Sequence, residues 1–189
     1  MTGAILLSLL MAAAGADTRE RARWLEETPL PSWNKRGVEI PKAPPVETPP
    51  DSRCGKDARP AASKEDREVA SAGWSLVGAA QSFAGARIFL ATAGYDSMCR
   101  PLEFQGFVFL GGRFAGLVSP ATMRTRFDGA AVALRLLSET TLEAEFARYL
   151  EQDPLCCPSR TTVVRYRIEP GSDAEGPLLS AERAIPAAR

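Results

Sequence analysis

The sequence contains no histidine. That absence removes the usual general base at neutral pH, the commonest zinc ligand and the ordinary partner of a nucleophilic Ser or Cys. It also has no excess charge of either sign, because 23 basic side chains balance 23 acidic ones. Nucleic-acid binders normally carry a basic excess that neutralises phosphates, so nucleic acid is excluded as a partner. There is no Cys-x-x-Cys, and no apolar run reaches the roughly 20 residues a membrane-spanning helix requires. The mature chain is therefore expected to have no transmembrane segment, no metal site and no cofactor. A length of 189 residues suits one domain with a tail.

What is present begins with an apolar run from Ala4 to Ala14, followed by Ala14-Gly15-Ala16 before Asp17. A short apolar stretch ending in a small-x-small pattern is the form of a cleaved secretory signal, so residues 1–16 are expected to be a leader. No Lys or Arg precedes the run. Either the reading frame starts upstream, or the N-terminal amine alone supplies the positive charge.

Residues 17–62 are rich in proline, at 29, 31, 41, 44, 45, 49, 50 and 60, with charges of both signs between. Such a composition buries too little apolar surface to offset the entropy of ordering, which predicts a mostly disordered, extended linker. Asp17, Thr18 and Glu20 suit the first turn of a short helix reaching Glu27. Trp24 and Trp33 are unusual in a linker and admit two readings, docking on the domain or on a partner, or loose packing.

Residues 63–189 carry the pattern of one β-rich domain. Ser63 with Glu65 and Asp66 forms a helix N-terminus, and the glycines at 73 and 78 limit the helix. Strands are predicted at 87–92, 105–110, 113–118, 131–137 and 161–168. Gly111-Gly112 supplies the positive φ angles of a tight hairpin between two of them. Residues 141–150 fit a helix, through Leu142, Phe146 and Tyr149, and a strand, through alternation with Glu143 and Glu145, equally well. The expected fold class is α+β: a mainly antiparallel β sheet with one N-terminal helix packed on it, stabilised by disulfides.

Cys54, Cys99, Cys156 and Cys157 make an even number in a chain expected to be exported, which favours structural bridges over a metal or redox site. A bridge between adjacent cysteines strains the peptide between them. Cys54 and Cys99 are therefore each expected to pair with one of Cys156 and Cys157.

Few residues suggest chemistry. Asp128, Glu143 and Glu145 are candidate acid–base carboxylates of a hydrolase, and solvated carboxylates explain them as well. Arg124, Arg126, Arg165 and Arg167 are candidate anion or partner contacts. Gly111-Gly112 and Gly116 lack the Lys-Ser/Thr of a phosphate loop.

The run Asp153-Pro154-Leu155-Cys156-Cys157-Pro158-Ser159, followed by Val163-Val164-Arg165-Tyr166, is distinctive. With Phe107-Val108-Phe109 through Gly112, Phe114-Ala115-Gly116, Ser119-Pro120 and Met123, it resembles small exported bacterial proteins related to the LppP/LprE lipoproteins. The resemblance spans roughly residues 86–169. It implies an envelope location and an extended backbone over 141–150, and it implies no activity. The chain lacks a lipobox cysteine, so a soluble protein, periplasmic or extracellular, is expected after cleavage. The reading is a non-enzymatic interaction or structural module whose partner is an envelope protein or polymer; the alternative is a carboxylate hydrolase acting on envelope polymers.

Overall fold

The computed structural model describes residues 19–46, 54–55 and 58–188. The expected leader, 1–16, lies outside the described residues, as do 17–18, where the expected short helix begins, and 47–53 and 56–57 of the expected linker. The architecture is mostly antiparallel β sheet with few, short helices. Among the described residues, a helical turn at 19–22 and a helix, α1 (Lys64–Ser71), precede eight strands: β1 (Ser75–Phe83), β2 (Ala86–Tyr95), β3 (Pro101–Leu110), β4 (Arg113–Leu117), β5 (Ala131–Ser138), β6 (Thr141–Arg148), β7 (Arg160–Glu169) and β8 (Leu178–Ala188). They form two four-stranded sheets, β1-β2-β3-β4 and β5-β6-β7-β8, each ordered as in the sequence. Strands consecutive in sequence tend to lie side by side, and both sheets follow this rule as simple meanders.

Local chemistry accounts for much of this. The backbone N–H of Asp66 donates to the Ser63 hydroxyl, and the Asp66 carboxylate accepts from the Ser63 N–H, a capping box that starts α1. Gly111 and Gly112 have φ of 58° and 73° between β3 and β4, which turns the chain as their sequence predicts. The segment 141–150, ambiguous by pattern, is strand β6 over Thr141–Arg148. Leu142, Ala144 and Phe146 face the core, and Glu143 and Glu145 face away.

The first sheet is buried on both faces, and this creates two cores. Ile88 and Val108 join Leu142, Phe146, Val164, Tyr166, Ile168 and Leu179 of the second sheet in one cluster. Phe89, Phe107 and Phe109, on the opposite face, pack with Val69 of α1, Trp74 and Leu76. Ile40, Ala43 and Val46 from the N-terminal region cover this second cluster.

The proline-rich segment therefore departs from the tether expected over 17–62. Its backbone carries little regular structure after the 3-10 turn Arg23–Glu26, but its described part lies against the sheets. Ala22, Trp24 and Leu25 are buried, and Trp24 meets Trp33 and Phe146 edge-on, with centroids 4.8 and 5.3 Å apart. Asn34 closes the seam where β4 approaches β8: its Oδ1 accepts from the Leu117 N–H, and its Nδ2 donates to the carbonyls of Leu117 and Leu179. Gly116 has φ of 147°, and a Cβ there would meet the Asn34 Cγ at 2.4 Å, so glycine is required for this close approach. Trp33 Nε1 donates to the same Leu117 carbonyl, and Arg36 bonds the Gly176 carbonyl and Glu169. Further on, Trp74 Nε1 donates to the Pro41 carbonyl and the Ala43 N–H to the Ala72 carbonyl. Residues 19–46 act as a strap. Proline removes backbone donors, but side-chain donors and apolar contacts hold the segment where it lacks a ladder.

The cysteine pairing also differs from the expected one. Cys54 bonds Cys99, and Cys156 bonds Cys157. Cys99 lies in the β2–β3 turn of the first sheet, with its Cα 5.1 Å from that of Cys54. Cys156 and Cys157 lie in the β6–β7 loop of the second sheet. Each sheet thus keeps its own bridge. The Cys54–Cys99 bridge closes a separation of 45 residues, worth about 4 kcal/mol on a chain-entropy argument.

Candidate functional site

Three surfaces bring charged residues together: the outer face of the second sheet, the open end of the sandwich, and the β6–β7 loop. On the outer face, side chains pointing away from the core line up across four strands. Arg135 of β5 faces Glu143 of β6, Glu143 faces Arg165 of β7, and Arg165 faces Arg183 of β8. The row holds three guanidinium groups against one carboxylate. Glu143 engages Arg165 at 2.5 Å, while Arg135 and Arg183 are exposed. Like charges directly opposite on neighbouring strands are unfavourable, so the Arg165–Arg183 register raises the local positive potential. The adjacent row carries Ala133, Glu145, Val163 and Ile185. Arg167, one register step away, pairs with Glu182 at 2.7 Å.

The open end forms a groove of about 910 Å³ between the strap and the inner ends of β7 and β8. Arg19, Arg23, Arg148, Arg160 and Arg183 line it, against Glu20, Glu26, Glu27, Asp128 and Glu182. Five charges of each sign leave it without a bias toward a charged ligand. Its acids are also engaged in structure. Asp128 accepts from the Tyr149 N–H at 2.8 Å and from Arg148 Nε at 3.1 Å, and Arg148 reaches on to Glu26 at 2.6 Å. Burial opposes the Arg148 charge, but Glu26 and Asp128 outweigh it and hold the guanidinium protonated beyond its ordinary range.

The third surface is the distinctive Asp-Pro-Leu-Cys-Cys-Pro-Ser loop. The Asp153 carboxylate accepts from the N–H of Leu150 and from the N–H and hydroxyl of Ser159, at 2.8, 2.9 and 2.9 Å. The Ser159 and Leu150 amides lower its pKa. Asp153 thereby pins both ends of a loop whose tip exposes Leu155, Cys156 and Cys157.

The residues singled out in the sequence do not converge. Arg124 and Arg126 follow β4, whereas Arg165 and Arg167 lie on the outer face of β7. Arg124 pairs with Glu103 at 2.8 Å, and Glu103 also takes Arg21 and the Thr122 hydroxyl. Arg126 is exposed, with φ of 68°. Among the carboxylates, Asp128 lines the open-end groove while Glu143 and Glu145 belong to the outer face, so the three share no pocket. Sequence reasoning missed Arg135 and Arg183, which complete the row with Arg165. Recognising them requires the registers of β5 and β8. Among the described residues, no group of three or more Cys, Asp or Glu is placed to hold a metal ion.

Residues 83–171 match the LppP/LprE lipoprotein family. Over that stretch the chain is similar to that family. The matched stretch runs from the last residue of β1 through β7 and contains the Asp153 loop and most of the outer face. It leaves out the strap, α1 and β8. No curated protein and no solved structure matches the chain. The relationship points to an exported envelope protein of unassigned role, and no helix among the described residues is long and apolar enough to cross a membrane.

Proposed function

We propose that the protein is an exported, non-enzymatic binding module of the bacterial envelope, soluble once a leader ending at Ala16 is removed, and that it holds a negatively charged partner on the outer face of its second sheet. The observation that carries this reading is the row Arg135–Glu143–Arg165–Arg183, whose cations outnumber its one carboxylate and whose two end members are exposed. An acidic protein surface or an anionic envelope polymer laid across the strands would relieve the repulsion between Arg165 and Arg183. The flanking Val163 and Ile185 would add apolar contact, as at other interfaces with mixed chemistry.

The test compares the mature chain with an Arg135→Ala/Arg183→Ala variant, both immobilised and exposed to envelope extract at low ionic strength. Material should be retained by the first, released as salt rises, and held ~tenfold less by the variant. Equal retention by both would sink this face as the binding surface. Export has its own measurement. N-terminal sequencing of the secreted or periplasmic protein should begin near Asp17, and an intact Met1 in the cytoplasmic fraction would defeat the proposal.

A further inference from the structure

The two disulfides occupy contrasting settings. Cys54 is 3% exposed, its partner Cys99 is half-buried, and their bridge joins distant parts of the chain. Cys156 and Cys157 are both exposed at a loop tip, next to Leu155, which is 66% exposed. Their bridge joins neighbouring residues and so closes no length of chain. A disulfide stabilises a fold mainly by shortening the excursions of the unfolded chain, and one between neighbours does almost none of that.

The loop, moreover, is held by other means. Asp153 ties Leu150 to Ser159, the Cys157 N–H donates to the Pro154 carbonyl at 2.9 Å, and the Tyr149 hydroxyl donates to the Leu155 carbonyl at 3.1 Å. All these contacts run through backbone and oxygen atoms, and none needs the sulfur–sulfur bond. The bridge is therefore exposed and structurally dispensable, on a platform that keeps its shape when the bridge opens. Adjacent thiols also stay side by side after reduction, which makes re-closure intramolecular.

We infer that Cys156–Cys157 is a thiol–disulfide exchange site, reduced by a dithiol protein that meets the loop tip and re-formed in the reverse exchange by the disulfide form of such a protein. A thiolate of the incoming dithiol attacks one of the two sulfurs. The Cys156–Cys157 bond breaks, the other sulfur leaves as thiolate and takes a proton from water, and a mixed disulfide forms. The second thiol of the reductant then attacks its own partner sulfur in the mixed disulfide. The reductant leaves as a disulfide, and Cys156 and Cys157 are left as thiols, two electrons and two protons having passed to the protein. The exposed Leu155 offers the partner an apolar contact beside the reacting sulfurs.

The test uses the whole mature chain, folded and without denaturant, in limiting dithiothreitol, followed by iodoacetamide and mass mapping. Alkylation of Cys156 and Cys157 should outpace that of Cys54 and Cys99 by ~tenfold or more, because exposed bridges are the labile ones. In a graded glutathione buffer the pair should pass from disulfide to dithiol while Cys54–Cys99 stays oxidised. Equal rates at both bridges, a Cys156–Cys157 bridge that resists the fully reducing buffer, or either residue linked to Cys54 or Cys99 would each overturn the inference. A Cys156→Ser/Cys157→Ser variant supplies the independent check. It should melt within ~2 °C of the parent; a large loss would make the bridge a structural staple and overturn the inference by that route.

Discussion

Trp24→Ala is expected to lower the thermal unfolding midpoint by ~10 °C, measured by circular dichroism. A buried Trp cut to Ala costs about 3–5 kcal/mol, and a chain of this size loses about 2–4 °C per kcal/mol. Trp24 is 4% exposed and sits between Trp33 and Phe146. Removing it leaves a void beneath the strap and detaches Trp33 from its aromatic neighbour. Neighbouring contacts also fall with it, since Trp33 and Asn34 hold the seam between β4 and β8. A double-mutant cycle with Phe146→Leu should give a coupling of about 1 kcal/mol, as expected for an edge-to-face aromatic pair. A melt unchanged within experimental error would mean that the strap does not pack on the sheets in solution.

Asp66→Asn is expected to cost about 3 kcal/mol and to change how stability responds to acid. Asp66 is fully buried at the N-terminus of α1, and Arg59 meets both its oxygens, at 2.6 and 2.8 Å. Arg87 approaches from β2 at 3.3 Å, and both guanidiniums lie over the Phe89 ring. An amide keeps the shape but leaves two cations facing a neutral group. They retain 20% and 23% side-chain exposure, which places the cost near the lower end for a broken buried pair. The Arg59 hydrogen bonds hold the Asp66 carboxyl well below the usual carboxylate range, helped by the Ser63 and Ala62 amides. A carboxyl lowered in the folded state stabilises the fold above its unfolded pKa, about 3.9. That stability is lost as pH falls below this value toward the lowered folded pKa. The gap between parent and variant should thus be full at pH 7 and narrow as the solution is acidified below about 4, in urea titrations at several pH values. A gap that is constant with pH would show that the ion pairs are not what stabilises this corner.

Ser63, Glu65 and Asp66 announce the helix because capping is local chemistry. Gly111-Gly112 announces the β3–β4 hairpin because a turn needs positive φ wherever it falls. Alternation of Val164, Tyr166 and Ile168 against Arg165 and Arg167 fixes which side of β7 faces inward. Strands β1 and β8 were not legible. In β1 the residues from Gly78 to Phe83 are mostly exposed, with a bulge between Val77 and Gln81. β8 is an edge strand of charged and small residues with Leu179 as its one fully buried side chain and Pro186 near its end. Both are strands because a neighbour offers a ladder, which their own side chains do not reveal.

The candidate surfaces divide along the same line. Arg165 and the Asp153 loop could be picked out from the sequence, since a charge in an alternating strand and an unusual local run are both written in contiguous residues. Arg135, Arg183, the strap on the seam and the pairing of the cysteines could not, since each depends on which distant segment lies alongside. The sequence by itself determined the local periodicities, the turns and the cap, because these arise between residues a few positions apart. Only the tertiary structure decided that residues 19–46 cover the sheets, that Cys54 meets Cys99, and that three arginines of three strands share one row. Those outcomes depend on the burial of apolar surface summed over the whole chain, and no local pattern encodes that sum.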